Sequence, residues 1–446
     1  QRGATRPQTL RDSREMATRP GSVSAATAKL CLGLGLWVAW PHIVEAQLAG
    51  TAKVEMHPPM TIARCTKAGG CILEQANVTL DANWRWIHTQ HCSGGQCYSA
   101  GDCYNSGRWD REACKDPKSC AEECALEGVD ADQYSSTYGV SPVAGGVELK
   151  FVSMGAGGMN VGSRLYLMDT EETYKLFRLK QKEFSFDVDV SNLPCGLNGA
   201  VYFSEMERHG GKGGGNSAGA KFGTGYCDAQ CPHDVKFMNG KANVLDWNET
   251  ATTGSWGACC AEMDIWEANK AATAYTPHPC DIEGTAICEG LKCGDTLKGE
   301  RYKGICDKDG CDFNSFRLGD HSFFGEGVDF TIDTSKPLTV VTQWLTSDGT
   351  EHGDLTEIRR LYVQDGRVIR NSKTSALGDG KEFNSITDEF CSAQKQAFGD
   401  KNDYAAKGGL KSMGRALDRG MVLVMSLWDD FASQMLWLDS VQGRGG

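Results

Sequence analysis

Basic residues, proline, histidine and long apolar runs are all scarce in this 446-residue chain. Its 46 Lys and Arg against 58 Asp and Glu leave a net charge of −12. That argues against the clustered cationic surface that nucleic-acid binding requires. No apolar run reaches the roughly 20 residues that a membrane-crossing helix needs, so no membrane partner is expected. Only 12 prolines occur, and no Pro/Ser/Thr-rich tract, charge block or solenoid repeat interrupts the chain. One domain from about Gln47 onward is expected. The 9 histidines include no His-x-x-x-His pair. Gly210–Gly215 (GGKGGG) lacks the Lys-Ser/Thr ending of a phosphate loop and reads as a flexible loop. No metal and no other cofactor is expected.

What is abundant is glycine (54), cysteine (20) and tryptophan (11). Leu30–Trp40 is an apolar run of 11 residues, preceded by Arg19 and Lys29 and followed by Val44-Glu45-Ala46. This reads as a secretory signal cleaved after Ala46, with Met16 as the start and residues 1–15 as leader. A secreted, extracellular protein follows, and in an oxidising compartment its cysteines are expected as disulfides rather than zinc ligands. Residues 47–446 keep 19 of the 20 cysteines, an odd number that leaves one thiol over. Two sequons, Asn77-Val78-Thr79 and Asn248-Glu249-Thr250, suit a secreted glycoprotein.

The periodicity is mostly two. Phe184, Phe186, Val188 and Val190 alternate with Ser185, Asp187 and Asp189, the pattern of a half-buried strand. Leu149–Val152, Arg164–Met168, Ala200–Phe203, Phe330–Ile332 and Leu338–Trp344 read similarly, as do Met421–Met425 and Met435–Leu438. Leu361–Val363 and Val368-Ile369 flank an Asp365-Gly366 turn, a hairpin signal. Leu410–Leu417 is the best helix candidate. The pattern predicts an all-β, antiparallel sandwich whose long, disulfide-tied loops form a substrate groove.

The segment Cys259–Asn269 (CCAEMDIWEAN) carries the chemistry. On a strand, Glu262 and Asp264 share a face, and Glu267 turns to the other. A β-bulge near Ile265–Trp266 restores Glu267 to the first face and brings its carboxyl near that of Glu262. Two carboxyls about 5–5.5 Å apart suit retaining glycoside hydrolysis, one attacking the anomeric carbon and one protonating the leaving oxygen. Asp264 can steady the nucleophile. The competing reading is a solvated acidic strand face. His278, in TPHPC, is placed near the site. Trp84 and Trp86 share a face if Asn83–Ile87 is a strand. With Trp428 and Trp437 they are candidate stacking platforms for sugar rings, although any single Trp is more often core.

EMDIWEAN and TPHPC, with LDANWRW, NVGSRLYLM, EFSFDVDVSNLPCGLNGAVYF, AGAKFGTGYCDAQCP, LTVVTQ, GMVLVMSLWDD and MLWLDS, closely resemble glycoside hydrolase family 7 over nearly all of residues 47–440. The resemblance implies a β-jelly-roll sandwich and a secreted, monomeric, retaining cellulase acting on cellulose and cellooligosaccharides. It implies Glu262 as nucleophile, Glu267 as acid/base, Asp264 as supporting carboxylate and His278 beside the acid/base. It matches Trp84, Trp86, Trp428 and Trp437 to stacking platforms, and Arg164, Asn198, Tyr202, Asp228, Gln230 and Lys236 to substrate contacts. Ala229 departs from the Ser that fungal members often carry, which bears on the nucleophile's hydrogen bonding.

The long segment Gly294–Asp312 resembles the cellobiohydrolase loop at the product end, with Arg301, Asp309 and Asp312 at its cellobiose-binding positions. The loop between Trp247 and Cys259 looks shorter than in tunnel-forming members, so the roof is expected to be less complete. Release of cellobiose from chain ends is the favoured reading. An endoglucanase with an open cleft and a non-catalytic glucan-binding sandwich are the alternatives. The likeness also implies the disulfides 65–71, 103–124, 114–120, 227–260, 231–259, 280–306, 288–293 and 311–391. Cys92 and Cys97 would pair locally in what looks like an insertion. Cys195 is left over, because its family partner lies in a C-terminal Arg-Gly-x-Cys stretch that Val441–Gly446 does not match. Residues 47–446 are thus expected to be a catalytic domain lacking its C-terminal end.

Overall fold

The computed structural model describes residues 47–93, 96–155, 158–295, 300–378 and 380–440. The expected signal segment and Val441–Gly446 lie outside these residues.

Two antiparallel sheets face each other. The larger runs in the order Pro59–Thr66, Gly70–Leu80, Ser163–Thr170, Met421–Asp429, Leu197–Ser204, Glu262–Ala268, Thr273–His278 and Phe313–Asn314. The smaller pairs Glu183–Val188, Leu338–Thr346, Leu355–Gln364 and Arg367–Arg370 in that order. Between them lies a core in which Leu165, Leu167, Phe203, Met263, Ile265 and Leu423 meet Trp344 and Ile358. Phe203 is the hub, its ring 5.2 Å from Phe184 and 6.2 Å from Trp344, both edge-on. The alternate residues Tyr166, Ala200, Tyr202, Val422 and Val424 cluster on the opposite face of the larger sheet. Period-two patterning therefore gives the large sheet one face for the core and one for chemistry.

The expected hairpin forms with Asp365 (φ 51°) and Gly366 (φ 72°) both left-handed, the geometry of a type I′ turn. Four expectations need correction. Leu149–Val152 is not one strand but the junction of two, Gly146–Leu149 and Val152–Gly155, each paired in its own hairpin with Val140–Val143 and Gly158–Val161 respectively. Phe330 lies outside the short strand Ile332–Asp333. Met435–Leu438 is not a strand: Leu436–Asp439 forms a helical turn in which Leu438 packs with Ala272, Ala274 and Met435. Asn83–Ile87 is not a strand either. Ala82–Trp84 is a 3₁₀ turn whose N-cap, Asp81, accepts from the Asn83 amide at 2.7 Å.

The expected helix extends over Gly409–Arg419, and a second, Asp388–Phe398, was not anticipated. Its signals are a Thr387 side chain capping the Phe390 amide and Gly399 at φ 76° ending the helix. Nine disulfides close among the described residues, matching every implied pair, including Cys92–Cys97. Cys195 is the free, exposed thiol.

Candidate active site

The strand Glu262–Ala268 contains the expected irregularity. Tyr202 faces Asp264 and Val201 faces Trp266, so Ile265 has no partner on that side. Toward Thr273–His278 the register also slips, between Asp264 and Glu267. Met263, Ile265 and Trp266 all turn into apolar clusters. Glu262, Asp264 and Glu267 stand opposite Ser204, Tyr202 and Ala200, which share one face, so the three carboxylates share it too.

Each carboxylate has a defined partner. Glu262 Oε2 accepts the Ala229 amide at 3.0 Å. Glu267 Oε1 accepts Asn198 Nδ2 at 3.0 Å, while Asn198 Oδ1 accepts the Ala268 amide at 3.1 Å. Asp264 Oδ2 lies 3.2 Å from His278 Nε2. The His278 Nδ1–H donates to the Asp307 carbonyl at 2.8 Å, which fixes the ring from its far side. Gly310 (φ +64°) passes so close that a Cβ there would lie 2.5 Å from the His278 ring.

Burial raises the Glu262 carboxyl, and the charges of Asp264 and Asp228 raise it further against the Ala229 hydrogen bond. Burial and Asp264 push Glu267 up to about 8, against His278 and the Asn198 bond. For His278 burial alone acts downward, but the hydrogen bond and charge of Asp264 push it up to about 9. Neutral pH therefore leaves an imidazolium on Asp264 and a proton on the glutamate pair, because two like charges so placed resist joint ionisation.

The Cys227–Cys260 and Cys231–Cys259 bridges tie the loop bearing Asp228, Ala229 and Gln230 to the start of this strand. Asp228 Oδ2 accepts Tyr226 Oη at 2.6 Å, and Tyr226 Oη lies 2.8 Å from Tyr202 Oη. Arg164 sits 3.3 Å above the Tyr226 ring and 5.4 Å from that of Trp84, its Nε donating to Asp81 at 2.6 Å. Lys236 bonds the Asn83 carbonyl and borders a pocket with Trp84, Tyr104 and Thr252; burial pulls its ammonium down to about 8. Of the expected contact residues, Asn198 touches Glu267, Arg164, Tyr202 and Asp228 meet at Tyr226, the Gln230 amide bonds Asp228, and Lys236 lies by Trp84.

The tryptophans divide. Trp84 Nε1 donates to the Val161 carbonyl at 3.3 Å, whereas Trp86 stacks on His88 at 4.1 Å and donates to Asp102 at 2.7 Å. Without the expected strand, each indole is held by its own neighbours rather than by a common ladder. Trp428 and Trp437 stack at 6.5 Å with planes 26° apart. In the 294–312 segment, Arg301 pairs with Asp309 at 2.5 Å and Asp312 with Arg317 at 2.9 Å. Residues 296–299 of that segment lie outside the described residues. Sequence reasoning missed the groups that steady the site from behind: Asp81, Asp102 and the Asp307 carbonyl. Contacts as distant as Asp81–Arg164 carry no local signal, although Asp81 before Ala82-Asn83 is a capping pattern.

The family model for glycosyl hydrolase family 7 matches residues 49–444. The chain belongs to glycosyl hydrolase family 7. It is therefore a glycoside hydrolase. Among solved structures, a family-7 cellobiohydrolase from Daphnia pulex is 48% identical, with a TM-score of 0.84 over 88% of both chains. The Humicola insolens endocellulase EGI is 38% identical, with a TM-score of 0.74 over 90% of this chain and 91% of its own. A Melanocarpus albomyces cellobiohydrolase complexed with cellotetraose is 40% identical, with a TM-score of 0.79 over 89% of both chains. In this family-7 chain the main-chain amide of Ala229, not a side-chain hydroxyl at that position, donates to Glu262.

Proposed function

We propose that this enzyme hydrolyses β-1,4-glucosidic bonds of cellulose and cellooligosaccharides with retention, releasing cellobiose from chain ends. The observation that carries the reading is the single-residue bulge that gathers Glu262, Asp264 and Glu267 on one sheet face. Glu262 attacks the anomeric carbon, its ionised form favoured by the Ala229 amide. Glu267 protonates the leaving oxygen and then withdraws a proton from the attacking water. Asp264, charged against the His278 imidazolium, repels a second negative charge and keeps the proton on Glu267. Trp84, Trp86, Trp428 and Trp437 stack on glucosyl rings, with Arg164, Asn198, Tyr202, Asp228, Gln230 and Lys236 as polar contacts. Arg301, Asp309 and Asp312 hold the product end.

The chain-end reading is favoured by greater similarity to the Daphnia cellobiohydrolase than to the Humicola endocellulase. A secreted, monomeric glycoprotein acting as one catalytic domain from Gln47 onward completes the proposal. Glu262→Gln is expected to abolish turnover of cellotetraose while binding survives, measured by calorimetry; unchanged turnover refutes the nucleophile. Viscosity of a soluble substituted cellulose tests the mode. A slow fall relative to the reducing ends released is expected, and a steep fall establishes endo action.

A further inference from the structure

An ion relay joins the 294–312 segment to the loop after Cys231, and no step above uses it. His233 Nδ1 donates to the Gly254 carbonyl at 2.9 Å, and its Nε2 lies 3.1 Å from Asp295 Oδ2. The other Asp295 oxygen holds Lys308 Nζ at 2.9 Å. Lys308 is only 7% exposed, a rare setting for lysine and one in which its carboxylate partner matters. The Lys308 carbonyl then accepts two donors, Gln230 Nε2 at 2.8 Å and Arg301 Nη2 at 3.1 Å. Gln230 belongs to the loop that carries Ala229, the partner of Glu262, and Arg301 to the opposing segment. One main-chain oxygen thus sets the separation of two side chains drawn from different loops. The residue bearing that oxygen is pinned through its ammonium.

We propose that His233, Asp295 and Lys308 are positioning residues that fix Gln230 and Arg301 for a bound disaccharide product, and so set product inhibition. The inference rests on the product-end role given above to Arg301. The charged groups facing His233 are Asp295 and, beyond it, Lys308, with the uncharged Cys288 and Cys293 sulfurs beside the ring. The hydrogen bond to Asp295 raises the imidazole's affinity for its proton, against burial and the Lys308 charge. The relay is complete below that titration and weakens as pH rises through it.

The test uses the intact enzyme with a small chromogenic aryl cellobioside and cellobiose as inhibitor. Lys308→Met and Asp295→Asn are each expected to raise the inhibition constant about fivefold, with kcat changed less than about twofold. In the parent enzyme the constant rises with pH through the His233 titration, and His233→Gln flattens that rise. Arg301→Ala serves as reference. If it weakens inhibition while Lys308→Met and Asp295→Asn do not, the relay is overturned. If Arg301→Ala has no effect, the product-end assignment itself is overturned. A matching fall in kcat in both relay variants reduces the relay to general support and also overturns the proposal.

Discussion

The floor of this site and the 294–312 segment are built by different physics. The floor is the strand Glu262–Ala268, hydrogen-bonded on both sides within a large sheet and backed by Met263, Ile265 and Trp266 in apolar clusters. The segment between Cys293 and Cys311 forms, among its described residues, the short 3₁₀ turn Arg301–Lys303 and is held by cystines and ion pairs such as Arg301–Asp309 and Lys308–Asp295. A ladder fixes side-chain direction to within a residue count. A cystine-and-ion-pair frame fixes it only through the charges present. Bond cleavage is therefore expected to resist loop variation, while substrate mode follows it.

Four measurements sharpen that contrast. Inserting one alanine between Trp266 and Glu267 moves Glu267 one place along the ladder, opposite Gly199 instead of Ala200, and turns it toward the inter-sheet core. Activity is expected to vanish, a loss of at least about a thousandfold, and an insertion variant that still cleaves cellotetraose breaks the account of the floor. Glu267→Gln comes next, lowering kcat about 10²–10⁴-fold on cellooligosaccharides. The deficit should shrink on substrates with an activated aryl leaving group, which need no proton; an equal loss on both removes the acid role.

Disulfide removal separates the two regions by stability. Replacing Cys231 and Cys259 by Ser opens a link of separation 28 beneath the floor, whereas the Cys288–Cys293 link has separation 5. Denaturant unfolding is expected to show a loss of about 2–5 kcal/mol for the first pair and less for the second. The reverse order breaks the comparison. The smallest effect is on pH. With the Glu267 proton lost through about 8, kcat/KM should fall as pH rises through that value. Asn198→Ala removes a hydrogen bond that favours the ionised carboxylate, so the alkaline limb moves to higher pH; a shift to lower pH contradicts the assignment.

The same division governs what could be read from the amino acids. Alternation along Phe184–Val190 or Met421–Met425 states strand and face directly, because burial acts at every second residue. The bulge at Ile265 was legible because three carboxylates flanked by apolar residues make sense on one face only if a residue is skipped. Met435–Leu438 misled because a four-residue apolar run has no period, and contact with Ala272 and Ala274 decided its conformation. Trp84-Arg85-Trp86 misled for another reason. Arg85 is buried against Glu55 in a bidentate pair, and Asp81 caps the turn before it, so a distant carboxylate and a local cap overrode alternation. The His233–Asp295 link of the relay joins residues more than 60 positions apart and leaves no trace in spacing.

The bond from Ala229 to Glu262 comes from the peptide unit and not from a side chain. Every amino acid except proline carries that donor, so the gene can rewrite codon 229 without erasing it. What limits the choice is room, since Ala229 is fully enclosed. Glycine, alanine and serine are therefore interchangeable there as far as this contact goes, and a serine adds an extra donor to one that is already secure.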